Sequence, residues 1–263
     1  MGSDVAVGAT LRAIVRRPAE SYARALSAQQ PRPTINVARA RRQHAEYCAA
    51  LRAASVELLE LPPDESLPDA CFVQDCAVIW DKVAIIARFG APSRQGEQEA
   101  VGQALRAQQT LKVSEIGPPG TLEGGDVLAL GSRLVVGLSA RTNRAGLVQL
   151  RDLLELEGAV VDGLPVPEGL HLLSGITYLG QGMLLATDHY ADLPTFAGLE
   201  VIRVPGAEAY AANALGLGGS VIVPAGFPRT AALIRERGFE VLPVDLSEFA
   251  KADGGATCLA LIM

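Results

Sequence analysis

The sequence predicts a closed α/β ring of five repeated units, each reading strand, strand, helix, strand. A pair of apolar strands separated by a short turn recurs with starts at Asp75, Asp126, His171, Asn213 and Cys258, spaced 42 to 51 residues apart. A repeat of about 45 residues is long enough for a strand pair, a helix and a third strand. Helical and β-rich stretches also fill the gaps between copies in the order that unit needs. Finally, the fifth copy ends after one strand, while residues 10–15 form a strand without a partner at the other terminus. Pairing these two strands closes the ring.

The elements follow in order. Residues 10–15 are apolar and β-branched and read as a strand. Residues 37–54 are rich in Ala, Arg, Leu and Glu and read as a helix, followed by a strand at 56–61. The first strand pair is 75–80 and 83–87 around an Asp81-Lys82 turn, then a helix over 96–109 with Ser93 ahead of it as a cap, then a strand at 111–116. The second pair is 126–130 and 133–137 around Gly131-Ser132, followed by a helix at 144–157 and a strand at 159–162. The third runs from His171 through 176–179, turns at 180–182, continues over 183–186 and is completed by a strand at 200–204. The fourth is 213–217 and 220–224 around Gly218-Gly219, with a helix at 230–237 stopped by Gly238 in the C′ position and a strand at 240–244. Cys258 then opens an apolar five-residue strand behind Gly254-Gly255. No linker or low-complexity run divides the chain, so residues 1–263 are expected to form one domain.

Composition narrows the function. A chain of 263 residues that is 49% hydrophobic and 20% charged can bury a full core. Its net charge of -6, with 23 basic residues scattered apart from one cluster at Arg39, Arg41 and Arg42, argues against nucleic acid as a partner. No apolar run approaches the roughly 20 residues that span a bilayer, and the N-terminus lacks a signal-peptide core, so no membrane partner and a cytoplasmic location are expected. Four cysteines, none in C-x-x-C spacing, are expected to stay reduced. Cys71 and Cys76 fall on one expected strand with their side chains on opposite faces. Cys48, Cys71 and Cys76 read as core residues, His44 as a helix-face residue and His189 as a loop residue. Three histidines make a multi-histidine metal site improbable, and neither metal nor cofactor is expected.

In a ring of this kind the first strand of each copy begins near the axis, so the residues at the starts converge. They are Asp75, Glu123 with Asp126, His171, Asn213 and Cys258. Carboxylates hold positive charge, a histidine transfers protons and a thiolate attacks, so the set suits cysteine-dependent attack on a cation. Asn213 shares the phase and is expected to satisfy backbone groups at the ring centre.

Several motifs together carry a family resemblance: Glu123-Gly124-Gly125-Asp126, Gly169-Leu170-His171-Leu172, residues 137–143 (Gly-Leu-Ser-Ala-Arg-Thr-Asn), residues 90–94 (Gly-Ala-Pro-Ser-Arg) and the terminal Thr257-Cys258. In combination the chain resembles the dimethylarginine dimethylaminohydrolases of the guanidine-modifying pentein superfamily, from Arg17-Pro18 to its end. The resemblance implies a five-bladed α/β propeller and hydrolysis of Nω-methylated L-arginine to L-citrulline through a covalent S-alkylthiouronium. It further implies Cys258 as nucleophile, His171 as general acid and base, and Asp75 and Glu123 as partners of the substrate guanidinium, Glu123 also orienting His171. Arg94 and Arg141 match arginines that clamp the α-carboxylate. Asp69, with the backbone carbonyls of Leu26 and Ala252, matches the α-amino site, and Leu26 would ride on a mobile loop. Gln74 stands where relatives carry Glu, so one negative charge is missing beside the expected cation and substrate choice or affinity should shift. The expected partner is a small guanidino amino acid, and the expected assembly a monomer or homodimer. The competing readings are arginine or agmatine deimination, amidino transfer, and a non-catalytic pentein binding protein. The first group is generally longer, and the last has no need of the Cys258, His171 and Glu123 set.

Overall fold

The computed structural model describes residues 11–167 and 169–263. They build five three-stranded sheets. In each sheet a middle strand pairs antiparallel with an inner strand and parallel with an outer one. The parallel crossovers run through helices Val37–Ala53, Glu97–Arg106, Arg144–Glu155, Asp188–Ala191 and Pro228–Glu236. The middle strands are Arg12–Arg16, Val83–Ile86, Arg133–Leu138, Met183–Ala186 and Ser220–Pro224.

Why five sheets close into a ring is visible in the alternation along these middle strands. Successive side chains of a strand point to opposite faces. Leu134 and Val136 therefore join a hydrophobic cluster with Val83 and Ile85 of the preceding blade, while Val135 joins Leu184 and Ala186 of the next. Leu185 continues the chain of contacts to Val221 and Val223, Ile222 to Ala13 and Val15, and Ile14 to Ala84. Each cluster is shared by two neighbouring blades, and the last is shared with the first. Both faces of every middle strand are thus buried, which is why these strands read as unbroken apolar runs.

The ring closes by the expected exchange of termini. Leu261–Ile262 pairs antiparallel with Arg12–Arg16, Ile14 opposite Leu261 and Ala13 opposite Ile262. Thr10, included in that expected strand, lies outside the described residues. Asn36 and Asn143 cap two of the long helices by accepting from the N–H groups of Arg39 and Gly146.

Four local expectations are corrected. Cys258 does not open a strand: it sits in a 3₁₀ turn, Thr257–Leu259, and the strand that follows holds only Leu261–Ile262. The other starts are 3₁₀ turns as well, Val73–Cys76, Gly124–Asp126, Leu172–Ser174 and Gly206–Ala212. Cys71 and Cys76 consequently share no strand, although they and Cys48 are buried and free of disulfides. Ser93 is not a cap, because it lies in the 3₁₀ turn Pro92–Arg94 and the helix starts three residues later behind Gly96, whose φ of 104° needs a glycine. His189 lies on the short helix Asp188–Ala191 rather than in a loop, whereas His44 is on a helix as expected, on its buried face. Among the described residues no helix is long and apolar enough to cross a membrane.

Ile14 has no exposed surface and lies in the closing strand pair. Ile14→Ala is expected to lower the unfolding free energy in urea by about 2–5 kcal/mol. Leu156→Ala, at a position 85% exposed, should change it by about 0.5 kcal/mol or less.

Candidate active site

The five 3₁₀ turns set the site. Because each precedes the inner strand of its own blade, the residues on or beside them gather at one end of the ring axis. Asp75 comes from the first turn, Glu123 from the residue before the second, His171 from the residue before the third, Asn213 from the end of the fourth and Cys258 from the fifth. Two glycines let the turns come this close. A Cβ on Gly125 would stand 2.6 Å from Asp75 Oδ1 and 2.9 Å from the His171 ring, and one on Gly124 would collide with the Gln74 carbonyl. The Glu-Gly-Gly-Asp motif is therefore a steric requirement of the site.

A cavity of about 200 Å³ opens over these turns. Cys258, His171 and Asp75 form its base; Asp69, Arg94, Arg141, Leu26 and Ala252 stand around it. Glu123 has no exposed surface and lies behind His171, with Oε2 2.8 Å from Nε2 of the ring. Asp75 approaches the other ring nitrogen, Nδ1, at 3.9 Å and accepts the Gly125 N–H at 3.0 Å. Burial disfavours the imidazolium, but Asp75 and the hydrogen bond to Glu123 outweigh it, so the His171 pKa is raised. Burial likewise opposes ionisation of Asp75, yet His171 and Arg94 hold its carboxyl below the usual range. For Cys258, burial and the charge of Asp75 push the thiol up. The surroundings thus favour the protonated forms of both the thiol and the imidazole.

Arg94 is placed differently from the expected free carboxylate clamp. Its Nη1 donates to Asp75 at 2.9 Å and to Glu123 at 3.2 Å, and its Nε and Nη2 grip both oxygens of Glu97. The Phe89 ring supports the guanidinium 4.5 Å from its centroid. Glu97 escaped the sequence reading; its signal is an acid three residues beyond Arg94, on the first turn of a helix. Burial raises its pKa to about 7. Arg141 reaches Glu123 Oε1 at 3.5 Å and leaves 14% of its side chain exposed toward the cavity. Its loop is braced by Asp126, which accepts from Ser139 Oγ at 2.6 Å, while that hydroxyl oxygen accepts the Arg141 N–H. Asp75, Glu123 and His171 have ligand atoms within 4.8 Å of one another, the spacing of a metal site. The Arg94 guanidinium already lies on both carboxylates, so the trio is arranged around an organic cation.

Above the cavity, Asp69 accepts the Leu26 N–H on both oxygens, at 3.0 and 3.2 Å, and burial raises its pKa. A second carboxylate, missed in the sequence, fastens the same segment: Asp253 Oδ2 accepts the Ala28 N–H at 2.6 Å.

Residues 18–181 match the family model described as N,N dimethylarginine dimethylhydrolase, eukaryotic. A dimethylarginine dimethylaminohydrolase of Pseudomonas aeruginosa is 39% identical over 249 residues, 94% of this chain and 97% of that one. The chain belongs to the dimethylarginine dimethylaminohydrolase family. Two solved structures superpose with TM-scores of 0.93 at 37% identity, each covering 96% of this chain and 98% or 99% of theirs. One is the P. aeruginosa enzyme as a cysteine-to-serine mutant complexed with citrulline; the other is a histidine-to-glycine dimethylarginine dimethylaminohydrolase as its adduct with S-methyl-L-thiocitrulline. The five-bladed propeller is the pentein fold of that family.

Gln74, expected beside the substrate cation, does not line this cavity. Its Nε2 donates to the Gly124 carbonyl at 2.7 Å, and its side chain borders a separate space behind the ring turns with Thr257 and Ala260. A charge argument from chain adjacency to Asp75 fails because consecutive residues of the turn face opposite ways. Gln74→Glu is therefore expected to leave the KM for dimethylarginine within about twofold, a difference of about 0.4 kcal/mol; a tenfold fall would restore the charge-based expectation.

Glu123→Gln removes the anionic partner of His171. The imidazolium loses stabilisation, so its pKa should fall, and kcat should drop roughly hundredfold or more. NMR titration of ring-labelled histidine together with steady-state rates checks both, and an unmoved His171 titration would contradict the assigned pairing.

Proposed function

We propose that this chain hydrolyses Nω-methylated L-arginine to L-citrulline and an alkylamine, with Cys258 as nucleophile and His171 as proton carrier. The observation that carries the reading is the opening of Cys258, His171 and Asp75 on one small cavity whose wall also holds Asp69 and Arg141. The cavity thus offers a nucleophile, a proton, an anion for the guanidinium, and opposite charges for an α-ammonium and an α-carboxylate. Membership of the family and the citrulline complex of a relative support the same chemistry.

At rest the thiol is protonated, because burial and Asp75 disfavour a second negative charge. A substrate guanidinium beside Asp75 and the sulfur reverses that balance and lowers the thiol pKa, and the thiol proton leaves to solvent as the substrate binds. The thiolate attacks the guanidinium carbon to give a tetrahedral adduct. His171, protonated at rest, passes a proton to the alkylamine nitrogen; the C–N bond breaks and an S-alkylthiouronium remains. Neutral His171 then takes a proton from water, hydroxide adds to the same carbon, the C–S bond breaks with its electron pair returning to sulfur, and the hydroxyl proton of the product passes to the thiolate, leaving the ureido carbonyl of citrulline and the resting thiol. Glu123 steadies His171 in both directions. Arg141 receives the α-carboxylate, a task suited to a planar donor, while Arg94, held by Asp75, Glu97 and Glu123, adds positive charge behind it. Asp69 and the carbonyls of Leu26 and Ala252 receive the α-ammonium.

The test is a product assay across asymmetric dimethylarginine, monomethylarginine, arginine and agmatine. Citrulline is expected from the methylated substrates and from none of them with Cys258→Ser. Citrulline from arginine in preference to its methylated forms would move the assignment to a deiminase, and undiminished activity of Cys258→Ser would remove the nucleophile.

A further inference from the structure

Asn213 does more than satisfy backbone groups at the ring centre. It is 5% exposed and ends the turn Gly206–Ala212. Its Oδ1 accepts two hydrogen bonds from Thr257, from the backbone N–H at 2.9 Å and from the hydroxyl at 3.0 Å. A backbone N–H can only donate, so the atom it meets must be the oxygen, and the amide orientation is fixed by chemistry. The nitrogen then faces Cys258, with Nδ2 3.7 Å from Sγ. From the other side the Gly255 N–H points at the same sulfur at 3.3 Å. Gly255 must be glycine for this, since a Cβ there would run into the Asn213 amide.

We propose that Asn213 is a thiolate-stabilising residue: its amide, locked by Thr257, donates to the Cys258 sulfur and with the Gly255 N–H forms a two-donor cradle for the anion. The inference rests on Cys258 being the nucleophile. The cradle acts twice in a turnover. It supports the sulfur before attack, and it receives the electron pair when the C–S bond of the thiouronium adduct breaks. Among the described residues no other polar pair faces the sulfur in this way: Thr257 Oγ lies 3.9 Å from it, and its proton is directed at Asn213.

The charged surroundings of Cys258 are Asp75 and His171 across the cavity, with Asp69, Asp253, Arg94 and Arg141 lining the same space. Behind it the phenols of Tyr22, Tyr47 and Tyr210 also sense the sulfur's charge.

The experiment follows labelling of Cys258 by iodoacetamide against pH, read by mass spectrometry in the full chain without substrate. Asn213→Asp keeps the oxygen that Thr257 needs and loses the donor; Asn213→Leu loses the donor without adding charge. Both are expected to move the labelling midpoint upward by about one unit, so that below it labelling is roughly tenfold slower. A Leu variant that labels like the unsubstituted protein overturns the proposal, whatever the Asp variant does. Should either variant fold poorly, the unsubstituted protein decides: the Asn213 side-chain amide resonance must titrate with the same midpoint as Cys258 labelling, and a resonance indifferent to the thiol overturns the cradle. Because no substrate is used, an enzyme inactive toward methylarginine can still pass or fail this test.

Discussion

The pairing of Leu261–Ile262 with Arg12–Arg16 joins the two ends of the chain, and the position of Cys258 follows from it. Only Ala260 lies between the 3₁₀ turn that carries the cysteine and the closing strand. That strand is held by a short ladder and by burial of Leu261 beside Ile14 and Ala77. A ring lacking this closure would leave Ile14 and Ala13 with one face each unpacked, and burial of apolar surface is the dominant favourable contribution to folding. The strand pair that closes the ring thus also holds the segment that follows Cys258. The position of Cys258 is thereby tied to a contact between the two ends of the described chain.

Around the axis the constraint changes from packing to charge. Five chain segments meet where Asp75, Glu97, Glu123 and Asp126 are all buried. Buried carboxylates need partners, because removal from water costs several kcal/mol per ion. Arg94 answers three of them at once, and Glu97 serves it as a rear anchor through two of its nitrogens. Asp126 finds Ser139 and the Leu172 N–H instead. Asp75 and Asp69 both still border the cavity, where a cation could reach them. A single arginine therefore both makes the acidic cluster tolerable and limits where a substrate guanidinium can sit.

Much of this was legible in the sequence, and the limits have physical causes. Middle strands buried on both faces leave unbroken apolar runs, so their number and spacing revealed the ring. The inner strands were less clear, because their first residues belong to 3₁₀ turns whose polar side chains look like strand starts. Cys258 was assigned to a strand for that reason. Chemistry-bearing residues at the turns were found because each interrupts an apolar run at the same phase. Glu97 was not, because an acid at a helix start is ordinary on a surface and nothing in the chain marks it as buried. Gln74 was misplaced for the converse reason: adjacency to Asp75 suggested a shared environment, while the turn sends the two side chains to opposite sides of a wall one residue thick.

That thin wall accounts for how a buried thiol can be both quiet and ready. Each of the turns contributes one residue to the front of the ring and packs its neighbours behind, as Gly124 and Thr257 do. The sulfur of Cys258 consequently has protein on every side except the cavity, and Asp75 faces it there. Burial and that carboxylate keep the proton on sulfur, while donors to the sulfur work in the opposite direction. In the proposed mechanism a guanidinium tips the balance, since it offsets Asp75 and adds favourable charge beside the thiolate. A neutral molecule in the same cavity leaves the thiol protonated. Selectivity for cations is in this way a property of the nucleophile's ionisation as much as of the binding contacts, and it requires the acidic cluster and the cysteine to share one small, water-poor space at the ring axis.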